Sequence, residues 1–366
     1  MLLVGLWPLL ALATATSTTR KFYLGADVSI IGPGPAQGPR IYQENGKAAE
    51  EWAILMRHGW TAYRLRVFVS PVRNDSPNNS LENMIPLARR IKDAGGSLLL
   101  CLHLSDGWAD PQHQVIPAAW ANLDIAGLEK QVEAYTHDTI KQLRDAGVRP
   151  DWVQVGNEIT RGTLWPVAQV KVPGSTEYNP PEPYDDATQW EHLTRILKAG
   201  IRGVKSAAGD TPPGIAIHLD KGADWKVTRW FFDHLQDAHV EYDIIAQSFY
   251  PPWRHGTLEG LQENMGQCAA RYGKDFMVVE TGYGHSAVSD NPDMLWPETP
   301  AGRLQFMADV VNTVRAAPRG LAVMYWQPEW DIWNANGSPG PAVAVLEQLT
   351  NLSQRPASHA PGAVKP

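Results

Sequence analysis

Two glutamates stand in the same local setting. Glu158 follows the apolar run in DWVQVGNE, and Glu280 follows the one in DFMVVE, far away along the chain. One carboxyl group behind a strand-like run is ordinary; two, on runs widely separated in sequence, provide for a division of labour. A protonated carboxyl can donate to a leaving oxygen while an ionised one attacks carbon or activates water. A retaining glycosidase uses such a pair, its carboxyls about 5–5.5 Å apart. Their proton affinities must be driven apart, which demands different surroundings. Arg66, in the run RLRVFV, supplies a charge that could keep one of them ionised.

The elements that position these groups follow from apolar periodicity. Short β-rich apolar runs at 22–28, 62–69, 97–104, 152–158, 214–220, 243–250, 276–281 and 321–327 alternate with helical patterns. The helical stretches are 47–59, 83–95, 128–147, 189–209, 224–239, 258–273, 301–318 and 342–352, several of them ending on Gly. Eight strand–helix repeats predict an α/β chain folded as a single (β/α)8 TIM barrel over 20–354. A doubly wound sheet also alternates, but no Gly-rich phosphate loop follows the first strand. In such barrels chemistry gathers at the C-terminal strand ends. Those ends read Asp27, Arg66, His103, Asn157 with Glu158, His218 with Asp220, Ser248 with Tyr250, Glu280, and Trp326 with Gln327. Every one is polar or aromatic, which marks that mouth as the site.

Composition bounds the rest. The 366 residues are 43% hydrophobic and 19% charged, an ordinary globular balance, and a net charge of -7 argues against nucleic acid as partner. Fifteen Trp residues either fill the core or line a cleft with flat apolar faces. Residues 1–17 read as a signal peptide: an apolar core at 2–12, then Ala13-Thr14-Ala15, with no basic residue before the core. The core is too short to span a membrane, so the mature chain is expected to be secreted or periplasmic and free of the membrane. The Pro- and Ala-rich tail, 355–366, is expected to fray. Cys101 and Cys268 cannot form a disulfide framework, although a single bridge stays open. Sequons at Asn78, Asn336 and Asn351 matter only in a eukaryotic source.

Longer segments carry a resemblance. GADVS (25–29), RLRVFVSP (64–71), HLSDGWADPQHQVIPAAW (103–120), VQVGNEITRGTLWP (153–166), HLDKGADW (218–225), SFYPPW (248–253), VVETGYG (278–284) and YWQPEW (325–330) resemble glycoside hydrolase family 53. Its members are endo-β-1,4-galactanases acting on pectic arabinogalactan, and the similarity runs from about 22 to 350. The block 103–120 is the most distinctive, whereas an Asn-Glu pair alone is common to a wide clan of barrel glycosidases. The resemblance implies Glu158 as acid/base and Glu280 as nucleophile. It implies that Asn157 bonds the sugar 2-hydroxyl, and that Arg66 and Tyr250 steady Glu280. His103 and Trp326 would line the subsite of the cleaved sugar, and Asp106, Trp108 and Asp110 would give polar and stacking contacts. Asp27, His218, Asp220 and Ser248 complete the expected substrate-binding set. Leu104, Lys221, Gln327 and the loop GYGHSAVSD depart from the family pattern, which bears on the polymer and not on the catalytic pair.

His103, Asp106, Asp110 and His113 match no zinc spacing, so no catalytic metal and no cofactor are expected. Some relatives hold a structural calcium after strand seven, where Asp290 and Asp293 lie here. No G-x-S-x-G elbow or G-x-G-x-x-G fingerprint supports a serine hydrolase or a nicotinamide enzyme. The leading expectation is a monomeric galactanase with a polysaccharide partner. A retaining enzyme on another β-linked glycan, such as a mannan or glucan, and a non-catalytic sugar-binding barrel stand behind it. The presence of both glutamates weighs against the last.

Overall fold

The computed structural model describes residues 21–29, 42–71, 79–170, 185–251, 256–283, 295–297, 299–328 and 333. Eight parallel strands form the barrel: β1 (Tyr23–Asp27), β2 (Ala62–Val67), β3 (Ser97–Leu102), β4 (Trp152–Val155), β5 (Gly214–Leu219), β6 (Ile244–Phe249), β7 (Asp275–Thr281) and β8 (Gly320–Trp326). Each pairs with its successor and β8 closes onto β1, so no edge of the barrel is left unpaired. The crossovers β1 to β7 carry α1 (Glu51–Arg57), α2 (Leu81–Asp93), α3 (Ile125–Asp145), α4 (Ala187–Ala208), α5 (Trp225–Asp237), α6 (Leu258–Tyr272) and α7 (Pro300–Ala316). The chain is thus the single (β/α)8 barrel that alternation predicts. The expected helix 342–352, the leader, the tail, the sequon asparagines Asn78, Asn336 and Asn351, and Asp290 with Asp293 lie outside the described residues.

Two apolar layers follow from the period-2 geometry of buried strands. Ala62, Leu99, Trp152, Ala216, Ala246, Met277, Val279 and Met324 fill the barrel interior, while their neighbours Leu65, Leu100, Val153, Ile217, Ile245 and Val278 pack outward against the helices. Tyr23 meets Trp152 edge-on at 4.9 Å within the inner cluster. Helix starts are written in the sequence. Ser80, Asp124, Asp186, Asp224, Thr257 and Thr299 each accept a hydrogen bond from the N–H three residues on.

One predicted helix is shorter than expected. Lys47–Ala49 pair antiparallel with Tyr42–Glu44, and α1 begins only at Glu51. Asn45 and Gly46 both hold positive φ at the turn, which makes 42–49 a hairpin although KAAEE is a good helical sequence. Close packing fixes one glycine elsewhere. A Cβ on Gly203 of α4 would stand 2.1 Å from Thr136 Oγ1 and 2.3 Å from the Glu133 carbonyl oxygen of α3. Among the described residues no helix is long and apolar enough to cross a membrane.

Candidate active site

Above the apolar plug the same alternation continues in polar residues. On β2 the inward face runs Ala62, Arg64, Arg66; on β3, Leu99, Cys101, His103; on β5, Ala216, His218, Asp220; on β6, Ala246, Ser248, Tyr250. Glu280 breaks this rule. Met277 and Val279 occupy the interior, so strict alternation would turn Glu280 outward. The pairing slips by one residue on both sides of this stretch, after Gln247 against β6 and between Val278 and Thr281 against β8. This β-bulge sets Glu280 opposite Ser248 and re-aims its carboxylate into the barrel. Beyond β4 the chain also turns sharply, with Gly156 at φ 80° and Glu158 at φ 49°.

The two carboxylates meet different partners. Glu280 Oε1 lies 2.8 Å from Arg64 Nη2, and Tyr250 O–H donates to Glu280 Oε2 at 3.4 Å. Arg64 is fully buried and also donates to Asp27 at 2.7 Å and to Asn157 Oδ1 at 2.6 Å. Burial raises the proton affinity of Glu280, and Arg64 opposes that rise. Glu158 has no cation in contact among the described residues. Burial, then the charges of Glu280 and Asp220, push its carboxyl well above the usual range, opposed by a hydrogen bond from Ser248 Oγ at 2.5 Å. Of the pair, Glu280 ionises first and Glu158 keeps its proton.

A cleft of about 510 Å³ opens over both glutamates, with Arg66, His103, Trp108, Asp110, Asn157, Tyr250 and Trp326 on its walls. Arg66 lies over Trp108, its guanidinium carbon 4.3 Å from the ring centre. Gln327, with its amide oxygen turned toward the guanidinium, accepts from Arg66 at 2.8 and 3.2 Å. His103 Nδ1 accepts from the Ala109 N–H at 3.0 Å, which places the ring proton on Nε2. That nitrogen is a buried donor with no partner among the described residues. Burial, with Arg64 and Arg66 nearby, holds His103 neutral.

Five of the expected substrate contacts are placed elsewhere. Asp27 is fully buried behind Arg64 and Ser29. Asp106 braces its loop, accepting from Ser70 N–H at 3.0 Å and Ala118 N–H at 2.8 Å. Asp220 is held by Thr160 and Lys221. His218 and Ser248 have no exposed surface and sit behind Glu158. The reason is common to four of them: an inward residue near a strand end meets neighbouring strands before it meets a ligand. The expected Arg66–Glu280 contact is corrected as well. The ion pair to Glu280 comes from Arg64, while Arg66 pairs with Asp27 at 3.2 Å. The spacing R-x-R already put both arginines on one face of β2. Among the described residues, Trp60, Trp120, Trp152, Trp190, Trp296 and Trp333 are buried, and Trp108 and Trp326 reach the cleft. Cys101 and Cys268 are both free and buried, Cys101 beneath the site at 3.2 Å from Arg64 Nη2.

Known proteins place this arrangement in context. The family model described as glycosyl hydrolase family 53 matches residues 23–352. An uncharacterized protein from Niallia circulans is 37% identical over 322 residues, 84% of each chain. An arabinogalactan endo-beta-1,4-galactanase of Humicola insolens is 32% identical over 326 residues, 86% of this chain and 91% of that one. A solved fungal beta-1,4-galactanase superposes with a TM-score of 0.74 at 29% identity, over 89% of this chain and 99% of that one. Barrel, paired glutamates and family match agree, and the chain belongs to glycosyl hydrolase family 53.

Proposed function

We propose that the chain is a secreted endo-β-1,4-galactanase working by double displacement, with Glu158 as acid/base and Glu280 as nucleophile. The observation that carries this reading is the unequal treatment of two glutamates in one cleft: Glu280 is ion-paired to Arg64 at 2.8 Å, and Glu158 is buried with no cation in contact among the described residues. In the first step Glu280 attacks the anomeric carbon as Glu158 protonates the glycosidic oxygen, and the chain beyond it leaves. In the second step Glu158, now ionised, takes a proton from water, whose oxygen attacks the anomeric carbon and frees Glu280. Both steps are carried by carboxyl groups and need no cofactor. The unpaired Nε2–H of His103 suits a sugar hydroxyl, and Trp108 and Trp326 offer apolar ring surface to a pyranose. Residues 1–17 support export, and a single barrel acting on a polymer needs no second subunit.

The test is release of reducing ends from β-1,4-galactan by the purified chain, beside mannan, xylan and cellulose. Cleavage of galactan with net retention is expected. Activity confined to another polymer would overturn the substrate, and an inverted product would overturn the mechanism.

A further inference from the structure

Glu158 is gripped from behind by a line of buried side chains. Ser248 Oγ of β6 lies 2.5 Å from Glu158 Oε1, and His218 Nε2 of β5 lies 2.9 Å from the same hydroxyl. His218 Nδ1 faces two donors, the Gln154 side-chain amide at 3.0 Å and the backbone N–H of Glu158 at 3.4 Å. Asn157 Oδ1 is also 3.0 Å away, but its two lone pairs already accept from Arg64 at 2.6 Å and from the Gln154 amide at 3.0 Å. Two donors at Nδ1 leave the ring proton on Nε2, which donates to Ser248. The hydroxyl then has its one hydrogen free for Glu158. The direction of the line is thereby fixed from the barrel interior outward.

We propose that Ser248 and His218 are positioning residues for the acid/base, holding Oε1 of Glu158 as a fixed acceptor so that Oε2 carries the proton to and from substrate. This rests on the reading of Glu158 as acid/base. Oε1 can accept from Ser248 whether Glu158 is charged or protonated on Oε2, so one geometry serves both chemical steps. The bond is stronger to the charged form, so it tempers the effect of burial. The other charges around Glu158 are fixed independently of Ser248. Glu280 faces it from β7, Asp220 with Lys221 from β5, and Asp110 from the loop after β3. Arg64 of β2 and Asp27 of β1 stand behind Glu280, and Tyr250 of β6 is a phenol that burial keeps protonated.

The experiment compares pH profiles of kcat/KM on the cleaved polymer for the wild type, Ser248→Ala, Ser248→Thr and His218→Gln, with thermal melts confirming folding. Losing a charge-assisted donor moves the basic limb, which reports Glu158, upward by about one pH unit or more in Ser248→Ala. The acidic limb, which reports Glu280, stays in place. Ser248→Thr restores the profile, and His218→Gln moves the basic limb in the same direction by less. Ser248→Ala also costs more on the polymer than on an aryl glycoside whose good leaving group spares the acid. A basic limb indifferent to Ser248, or two limbs that move together, overturns the inference alone. A basic limb that survives Glu158→Gln on the aryl glycoside overturns the acid/base reading and this inference with it.

Discussion

Arg64→Lys tests the electrostatic core of the site. The wild-type guanidinium serves Asp27 at 2.7 Å, Asn157 at 2.6 Å and Glu280 at 2.8 Å from one rigid plane. A lysine keeps the charge but not the fork, and cannot reach all three partners at once. Each charge-assisted bond contributes about 1.5–3 kcal/mol, and disrupting a buried pair costs about 3–5 kcal/mol. A total loss of about 3–5 kcal/mol is therefore expected, lowering Tm by roughly 4–7 °C for a chain of 366 residues. The ionised nucleophile also loses its cation in contact. One pH unit corresponds to about 1.36 kcal/mol, so the acidic limb of kcat/KM should rise by about a unit. The sign follows because Glu280 must be ionised to attack: raising its proton affinity removes activity at the acid end first. Arg66→Lys is the control, since Arg66 touches Asp27 at 3.2 Å and Trp108 but acts on Glu280 only at longer range. It should weaken binding while moving the acidic limb less. An acidic limb that shifts more in Arg66→Lys than in Arg64→Lys would refute the assignment of the ion pair.

Replacing Glu280 with Gln should reduce turnover on galactan by several orders of magnitude while calorimetry still detects galactan binding; retained turnover sinks the nucleophile. Glu158→Ala should keep the first step on an aryl galactoside with a good leaving group, and added azide should restore turnover with formation of a β-galactosyl azide. An α-azide would contradict double displacement. Gly203→Ala should lower Tm although alanine is the better helix former by about 1 kcal/mol, because the new methyl meets the Glu133 carbonyl at 2.3 Å and overpacking costs about 1–3 kcal/mol. A raised Tm would show that α3 and α4 are packed less tightly than described.

Much of this architecture was legible because buried parallel strands write themselves as apolar runs. All eight runs coincide with barrel strands to within a few residues, and six of the seven described helices begin at a Ser, Thr or Asp cap that sequence alone displays. What escaped was depth. A residue type at a strand end says that a polar group is near the mouth, not whether it faces the cleft or a neighbouring strand. So Ser248 and His218 read as sugar contacts and turned out to support Glu158. Arg64 escaped for another reason. Its partners Asp27, Asn157 and Glu280 come from three different strands or their ends, and no local window contains them. The hairpin at 42–49 escaped because two positive-φ residues outweighed helical propensity.

The bulge in β7 makes the chemistry depend on counting. Glu280 reaches the cleft because the ladder carries a surplus residue beside it. If the same residues paired without the bulge, Val279 would take the place opposite Ser248, and Glu280 would exchange faces. The glutamate would then remain in the sequence, aligned with its relatives by eye, and point at the helices. Loss of activity among descendants of this fold can therefore arise by regularisation of one ladder, with every catalytic side chain kept. When such barrels are judged active or inactive, the register of the seventh strand carries as much information as its glutamate.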